Sequence, residues 1–124
     1  MGETFLPVFP FLPYLLMRSE ELRIAKTESR FRDVNERIAE TAERVGASEA
    51  ELVCECGDLE CGERIAAPLE EYEETRADGS RFLVSPGHEL PEHERVVKTG
   101  PGFRVVAKLR SVGAVARRLN PRRA

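Results

Sequence analysis

The stretch LVCECGDLECG, running from Leu52 to Gly62, decides how the chain is read. Two thiols stand two residues apart, a glycine and an acidic turn follow, and a third thiol closes the segment. In an extended backbone residues i and i+2 face the same side, so Cys54 and Cys56 point together. Gly57 is expected to permit the reversal that returns Cys61 to them. Three thiolates so arranged suit a single tetrahedral zinc ion, and such an ion wants a fourth donor. The chain has two histidines. His88, in Ser85-Pro86-Gly87-His88, is the preferred fourth ligand, because the Pro-Gly turn presents its ring from the end of a strand, Phe82 to Val84. His93 is the alternative.

Other readings of the thiols are an iron–sulfur cluster, a redox-sensing group, or small core side chains without a cofactor. The spacing departs from standard cluster patterns. The carboxylates of Glu55, Asp58, Glu60 and Glu63 are expected to raise thiol pKa values and slow thiolate attack, and they sit badly with an apolar core. An odd number of cysteines packed into so short a segment also makes a poor disulfide framework, and points to a reducing, cytoplasmic setting. A structural ion is preferred over a catalytic one, since three thiolates and a histidine close the shell and leave no open position. Glu89, beside His88, is the only candidate base for a zinc-dependent hydrolase. The chain shows no nucleophilic triad or phosphate loop.

Outward from this segment, composition bounds the rest. With 124 residues, 41% of them hydrophobic, 33% charged and none tryptophan, the chain has room for one modest core. A metal staple would strengthen it. A helix is expected from Glu20 to Val45, capped by Ser19 and stopped by Gly46. Ile24, Phe31, Ile38 and Val45, with Val34 between, should form its apolar stripe, while Glu28 with Arg32, Asp33 with Arg37 and Glu40 with Arg44 pair on the outer face. The stripe is expected to pack on the chain's own sheet; dimerisation through the long helix is the alternative.

Downstream, Arg64 to Ala67 reads as a strand, Pro68 as the first residue of a short helix with Leu69 and Tyr72 inward, and Arg81 to Ser85 as a strand. Glu94 to Lys98 and Phe103 to Lys108 read as a hairpin about Thr99-Gly100-Pro101-Gly102. Its apolar face is Val96 or Val97 with Val105 or Val106. Val112 to Leu119 forms a last helix. The expected fold class is therefore α+β: a long N-terminal helix packed on a small, mostly antiparallel sheet, with a zinc-knuckle-like insertion and a short C-terminal helix.

Charge is strongly asymmetric. From Glu49 to Glu94 the chain carries 14 acidic residues against Arg64, Arg76 and Arg81, whereas from Arg95 onward it carries nine basic residues and no acid. Arg117, Arg118, Arg122 and Arg123 are the candidate contacts for nucleic acid or an acidic partner. Only Phe103 offers a stacking ring among the basic residues, so protein contact is preferred over nucleic acid.

The run AKTESRFRDVNERI, then VCECGDLEC, then EYEETRADGSRFLVSPGHE and a final ERVV resembles small uncharacterised proteins of high-GC Gram-positive bacteria. The resemblance spans roughly residues 24 to 121. It implies that Cys54, Cys56, Cys61 and His88 are the shared feature, and it implies a start near Met17. The apolar opening, GETFLPVFPFLPYLL, carries Pro7, Pro10 and Pro13, which rule out an ordinary membrane helix. The expected organisation is an apolar arm over 1–17, read as translated sequence upstream of the true start with a polyproline-like arm docked on a partner or on the domain's own groove as the alternative, one zinc-stabilised domain over 18–120 and a basic tail over 121–124. Deleting Met1 to Leu16 is expected to leave stability nearly unchanged. A melting temperature lowered by many degrees would instead place the arm in the core.

Overall fold

A computed structural model describes residues 19–122; the apolar arm, Arg123 and Ala124 lie outside the described residues. The first element, α1 (Ser19–Arg44), is an unbroken run without glycine or proline. It ends where expected. Gly46 adopts φ +75°, and Ala47 N–H donates to the Ala42 carbonyl at 2.9 Å while Gly46 N–H donates to that of Glu43 at 3.1 Å. This left-handed glycine closes the orphan carbonyls of the last turn.

Next come β1 (Glu49–Val53), β2 (Arg64–Pro68), α2 (Leu69–Arg76), β3 (Arg81–Val84), β4 (Glu94–Gly100), β5 (Phe103–Lys108) and α3 (Arg110–Arg118). The class is α+β, but there are two sheets rather than one: an antiparallel pair β1-β2, and an antiparallel sheet ordered β3-β5-β4. Pro68 precedes the first turn of α2 instead of occupying it. Both Val105 and Val106 are buried, because β5 is a central strand with elements on either face, and a register shift between Val96 and Lys98 leaves Val96 exposed and Val97 half-buried. An irregular edge of this kind discourages pairing with another chain.

The largest departure from expectation is the inner face of α1. Ile24 is buried, but Phe31, Val34 and Ile38 are only half-buried and Val45 is 75% exposed. Beside Ile24, the residues that reach the interior are Ala25, Thr27, Glu28, Ser29, Arg32, Asn35 and Ala39. Glu28 and Arg32 thus do not pair on the outer face; both are buried and take partners from distant elements. Arg32 donates to the Gly79 carbonyl at 2.7 Å and to the Ala116 carbonyl at 2.9 Å, in the last turn of α3, and its guanidinium lies over the Phe82 ring. Lys108 is wholly buried and bridges Glu28 and Glu94. Period-based reading places charged residues outside by default, and it fails here because each buried charge is matched by another element.

Two carboxylates share the one Lys108 ammonium, and Glu28 Oε1 finds no hydrogen-bond partner. Burial therefore pushes the Glu28 carboxyl up from 4.5 to about 7, against the opposing pull of Lys108. A carboxyl that holds its proton more tightly when folded costs stability as pH rises through that interval, here on the order of 3 kcal/mol. Glu28→Gln should remove this decline, so that urea unfolding shows the variant gaining on wild type between about pH 5 and 7. Parallel stability curves for the two proteins over that range would show that Glu28 does not titrate there.

Candidate metal centre

The cysteine segment hangs between the two sheets. Beyond the end of β1, Cys54 N–H donates to the Glu63 carbonyl at 2.9 Å, continuing the β1-β2 ladder, and the next amide, Glu55 N–H, donates to the Leu83 carbonyl of β3 at 2.8 Å. The chain thus changes partners within one residue. Asn35 of α1 holds the segment just before this point: its Oδ1 accepts from Val53 N–H and its Nδ2 donates to the Val53 carbonyl, both at 2.8 Å.

Alternation does the rest. Cys54 and Cys56 face one side, as the spacing requires, and Glu55 faces the other. Glu55 is not a solvated neighbour of the thiols; it is wholly buried, accepting from Asn35 Nδ2 at 2.7 Å, Leu83 N–H at 2.9 Å and Arg76 at 3.3 Å. Its backbone and its side chain both bond Leu83, which locks the strand segment to β3.

The return to Cys61 is made differently from expectation. Gly57 has no positive φ; its hydrogen is needed because a Cβ there would lie 2.6 Å from Ile24 Cγ2 on α1. The left-handed residue of the loop is Gly62, at φ +142°. Asp58 builds the turn between them: its Oδ1 accepts Glu60 N–H at 2.9 Å and its carbonyl accepts Cys61 N–H at 3.0 Å. His88 comes from the turn after β3, where its N–H donates to the Ser85 carbonyl at 3.0 Å. Gly87 takes φ +92° in that turn.

The result is a compact group. The donor atoms of Cys54, Cys56, Cys61 and His88 all lie within 4.8 Å of one another, and the three cysteines are free thiols. His88 Nδ1 stands 3.7 Å from Cys54 Sγ and 3.5 Å from Cys61 Sγ. A tetrahedral ion with metal–sulfur and metal–nitrogen bonds near 2.3 and 2.0 Å would set sulfur–nitrogen edges of roughly 3.5 Å. The group could therefore hold a metal ion with little movement. His93 is not part of it. Its Nδ1 lies 3.5 Å from Glu21 on α1, so the structure brings together His88 and leaves His93 elsewhere.

The Cys54 sulfur also receives a backbone amide, from Ser85 at 3.2 Å. Amide donors stabilise thiolates. Crowding opposes them. The neighbouring Cys56 thiol and the Ser85 donors hold the Cys54 pKa down, whereas its hydrogen bond to Cys54 and its burial push Cys56 well up, and burial is the first cause raising Cys61. A bound dication would favour the thiolate at all three positions. His88 is held above its usual pKa, first by its hydrogen bond with Cys56 and further by Glu63, whose carboxylate lies 3.3 Å from Nε2. Glu63 orients the ring so that Nδ1 faces the sulfurs, a supporting role that sequence reading missed although the residue stands two positions after Cys61.

Glu89 is committed elsewhere: it pairs with Arg104 and accepts Gly87 N–H at 2.9 Å, and the backbone donors and Arg104 lower its pKa. Arg122 is likewise engaged, with Glu36 at 2.7 Å and Glu73 at 2.7 Å, and Arg117 lies 4.0 Å from Asp78. Arg118 is exposed, and Arg123 lies outside the described residues. Among the described residues no helix is long and apolar enough to cross a membrane.

Comparison with protein-family models, curated proteins and solved structures returns no match. The site must be judged on its geometry. Cobalt(II) added to the reduced protein should give the absorption of a tetrahedral thiolate complex, unchanged in His93→Ala and altered in His88→Ala. Glu63→Gln should bind the ion about tenfold more weakly in competition with a chelator. A spectrum sensitive to His93 and indifferent to His88 would overturn the assignment of the fourth donor.

Proposed function

We propose that this chain is a small zinc protein of interaction or regulatory type, in which Cys54, Cys56, Cys61 and His88 bind one structural zinc ion and the centre fixes a surface for contact with another protein. The observation that carries this reading is the convergence of four protein donors within 4.8 Å, with the Ser85 amide on the Cys54 sulfur and a carboxylate on the histidine. Soft thiolates in this number favour zinc over the harder divalent ions. The close spacing favours one ion over an iron–sulfur cluster, whose ligands sit on separate irons and must spread further apart.

Four protein donors fill a tetrahedral shell, which favours a structural over a catalytic ion, and the pairing of Glu89 with Arg104 removes the candidate base of a hydrolase. The engagement of Arg122 and Arg117 by carboxylates likewise favours protein contact over nucleic acid. Free thiols of this kind belong in a reducing compartment, and we place the protein in the cytoplasm with the small proteins of high-GC Gram-positive bacteria that it resembles.

A structural zinc site contributes on the order of 10 kcal/mol of folding free energy, comparable to the whole stability of a small domain. Protein purified without added metal should contain one zinc per chain by native mass spectrometry, and a strong chelator should unfold at least the region from Cys54 to His88, with partial helicity kept by α1. Cys54→Ser, Cys56→Ser and Cys61→Ser should each abolish tight binding. Metal-free protein whose unfolding curve ignores the chelator would defeat the proposal.

A further inference from the structure

The loop between Cys56 and Cys61 displays a large apolar side chain that the domain does not use. Leu59, at its apex, is 57% exposed. The loop cannot fold this residue inward, because Gly57 is pressed against Ile24, the Asp58 turn fixes the chain, and the flanking cysteines belong to the metal group. Beside it runs a groove of about 700 Å³ between the loop, the first turns of α1 and the segment from Gly87 to Leu90. Ile24, Leu59 and Leu90 give it apolar surface; Asp58 and Glu60 are its exposed acidic rim, against Arg23. Cys56 and His88 form part of its wall.

The charge on this surface selects the partner. Neither Asp58 nor Glu60 has a basic partner among the described residues; the Asp58 carboxylate accepts only the Glu60 backbone N–H. If the centre holds zinc, three thiolates against a dication leave one further net negative charge in the wall. We infer that this groove docks a basic protein segment carrying a large apolar side chain, which seats against Leu59 while its Lys or Arg residues meet Asp58, Glu60 and the metal centre. The inference rests on the zinc reading for the rigidity and part of the charge of the wall. A polyanion is repelled by the same surface, so nucleic acid is the wrong partner here.

The test is fluorescence anisotropy on the full, metal-loaded chain at physiological salt, with four labelled probes: a short Arg/Leu peptide, an Arg/Ser peptide of equal charge, a Glu/Leu peptide, and a single-stranded oligonucleotide. The Arg/Leu peptide should bind at least about tenfold more tightly than the others. Leu59→Ser should abolish its advantage over Arg/Ser, and Glu60→Lys should weaken both basic peptides, each variant keeping its zinc. Glu43→Lys, some 30 Å away along α1, should change nothing. Equal binding of the two basic peptides, equal loss from Glu43→Lys and Glu60→Lys, or preference for the oligonucleotide would overturn the inference. The two readings fail separately: stoichiometric zinc without peptide preference defeats the docking surface alone, whereas a Leu59-dependent preference in a chain that holds no zinc defeats the metal reading alone.

Discussion

The structure depends on the alternation of three residues. In Cys54-Glu55-Cys56 the two thiols face the donor group with Cys61 and His88, and the carboxylate between them faces the opposite way, wholly buried, onto Asn35, Arg76 and the Leu83 amide. The site and the polar interior are two sides of one extended segment. A shift of register by a single residue would turn the carboxylate out and a thiol in, losing the Glu55 bonds and the donor cluster together. This is why Asn35, with both ends of its amide on Val53, matters to a site it does not touch.

Behind that segment lies an interior unusual for so small a domain. Arg32 lies 4.6 Å, Arg76 5.5 Å and Lys108 5.7 Å from the centre of the Phe82 ring, and the carboxylates of Glu28, Glu55 and Glu94 are buried with them. The acidic groups oppose the cations in sign, and the ring offers its negative faces to the cations. Buried pairs of this kind contribute little net stability, but losing one partner leaves an uncompensated charge at a cost of about 3–5 kcal/mol. Their effect is to specify one arrangement of α1, α2 and β3. The cysteine loop and the His88 turn are both fixed to that arrangement, through Glu55 and through the chain that follows β3.

The exposed side of the centre has a different character. Cys54 and Cys56 are buried, while Cys61 and His88 are partly open, and Glu63, which orients the histidine, reaches solvent. The basic groups of the C-terminal half are drawn back onto the acidic middle of the chain and onto α1: Lys98 onto Glu71 and Glu74, Arg104 onto Glu89, Arg122 onto Glu73 and Glu36. The charge asymmetry so evident along the sequence is in large part neutralised within the fold. Asp58 and Glu60 stand outside this neutralisation, beside the exposed Leu59.

Local chemistry determined much of this protein from the sequence alone. The run without glycine or proline and the left-handed Gly46 fix α1; the alternating strands about Pro101-Gly102 fix the β4-β5 hairpin; and the spacing of Cys54 and Cys56 fixes that they face one way, because these depend only on neighbours along the chain. Tertiary structure decided what depends on distant partners. It separated His88 from His93 by setting one ring beside Cys61 and the other beside Glu21. It made Gly57 a contact with Ile24 rather than a turn, and divided the strands into two sheets joined at the cysteine segment. It also buried Glu28, Arg32, Asn35 and Glu55, whose helical period or position among thiols reads as a solvated surface. A charged side chain goes inside only when another element supplies its counter-charge or hydrogen bonds, and those partners stand 18 to 84 residues away in sequence, beyond anything a local pattern can carry.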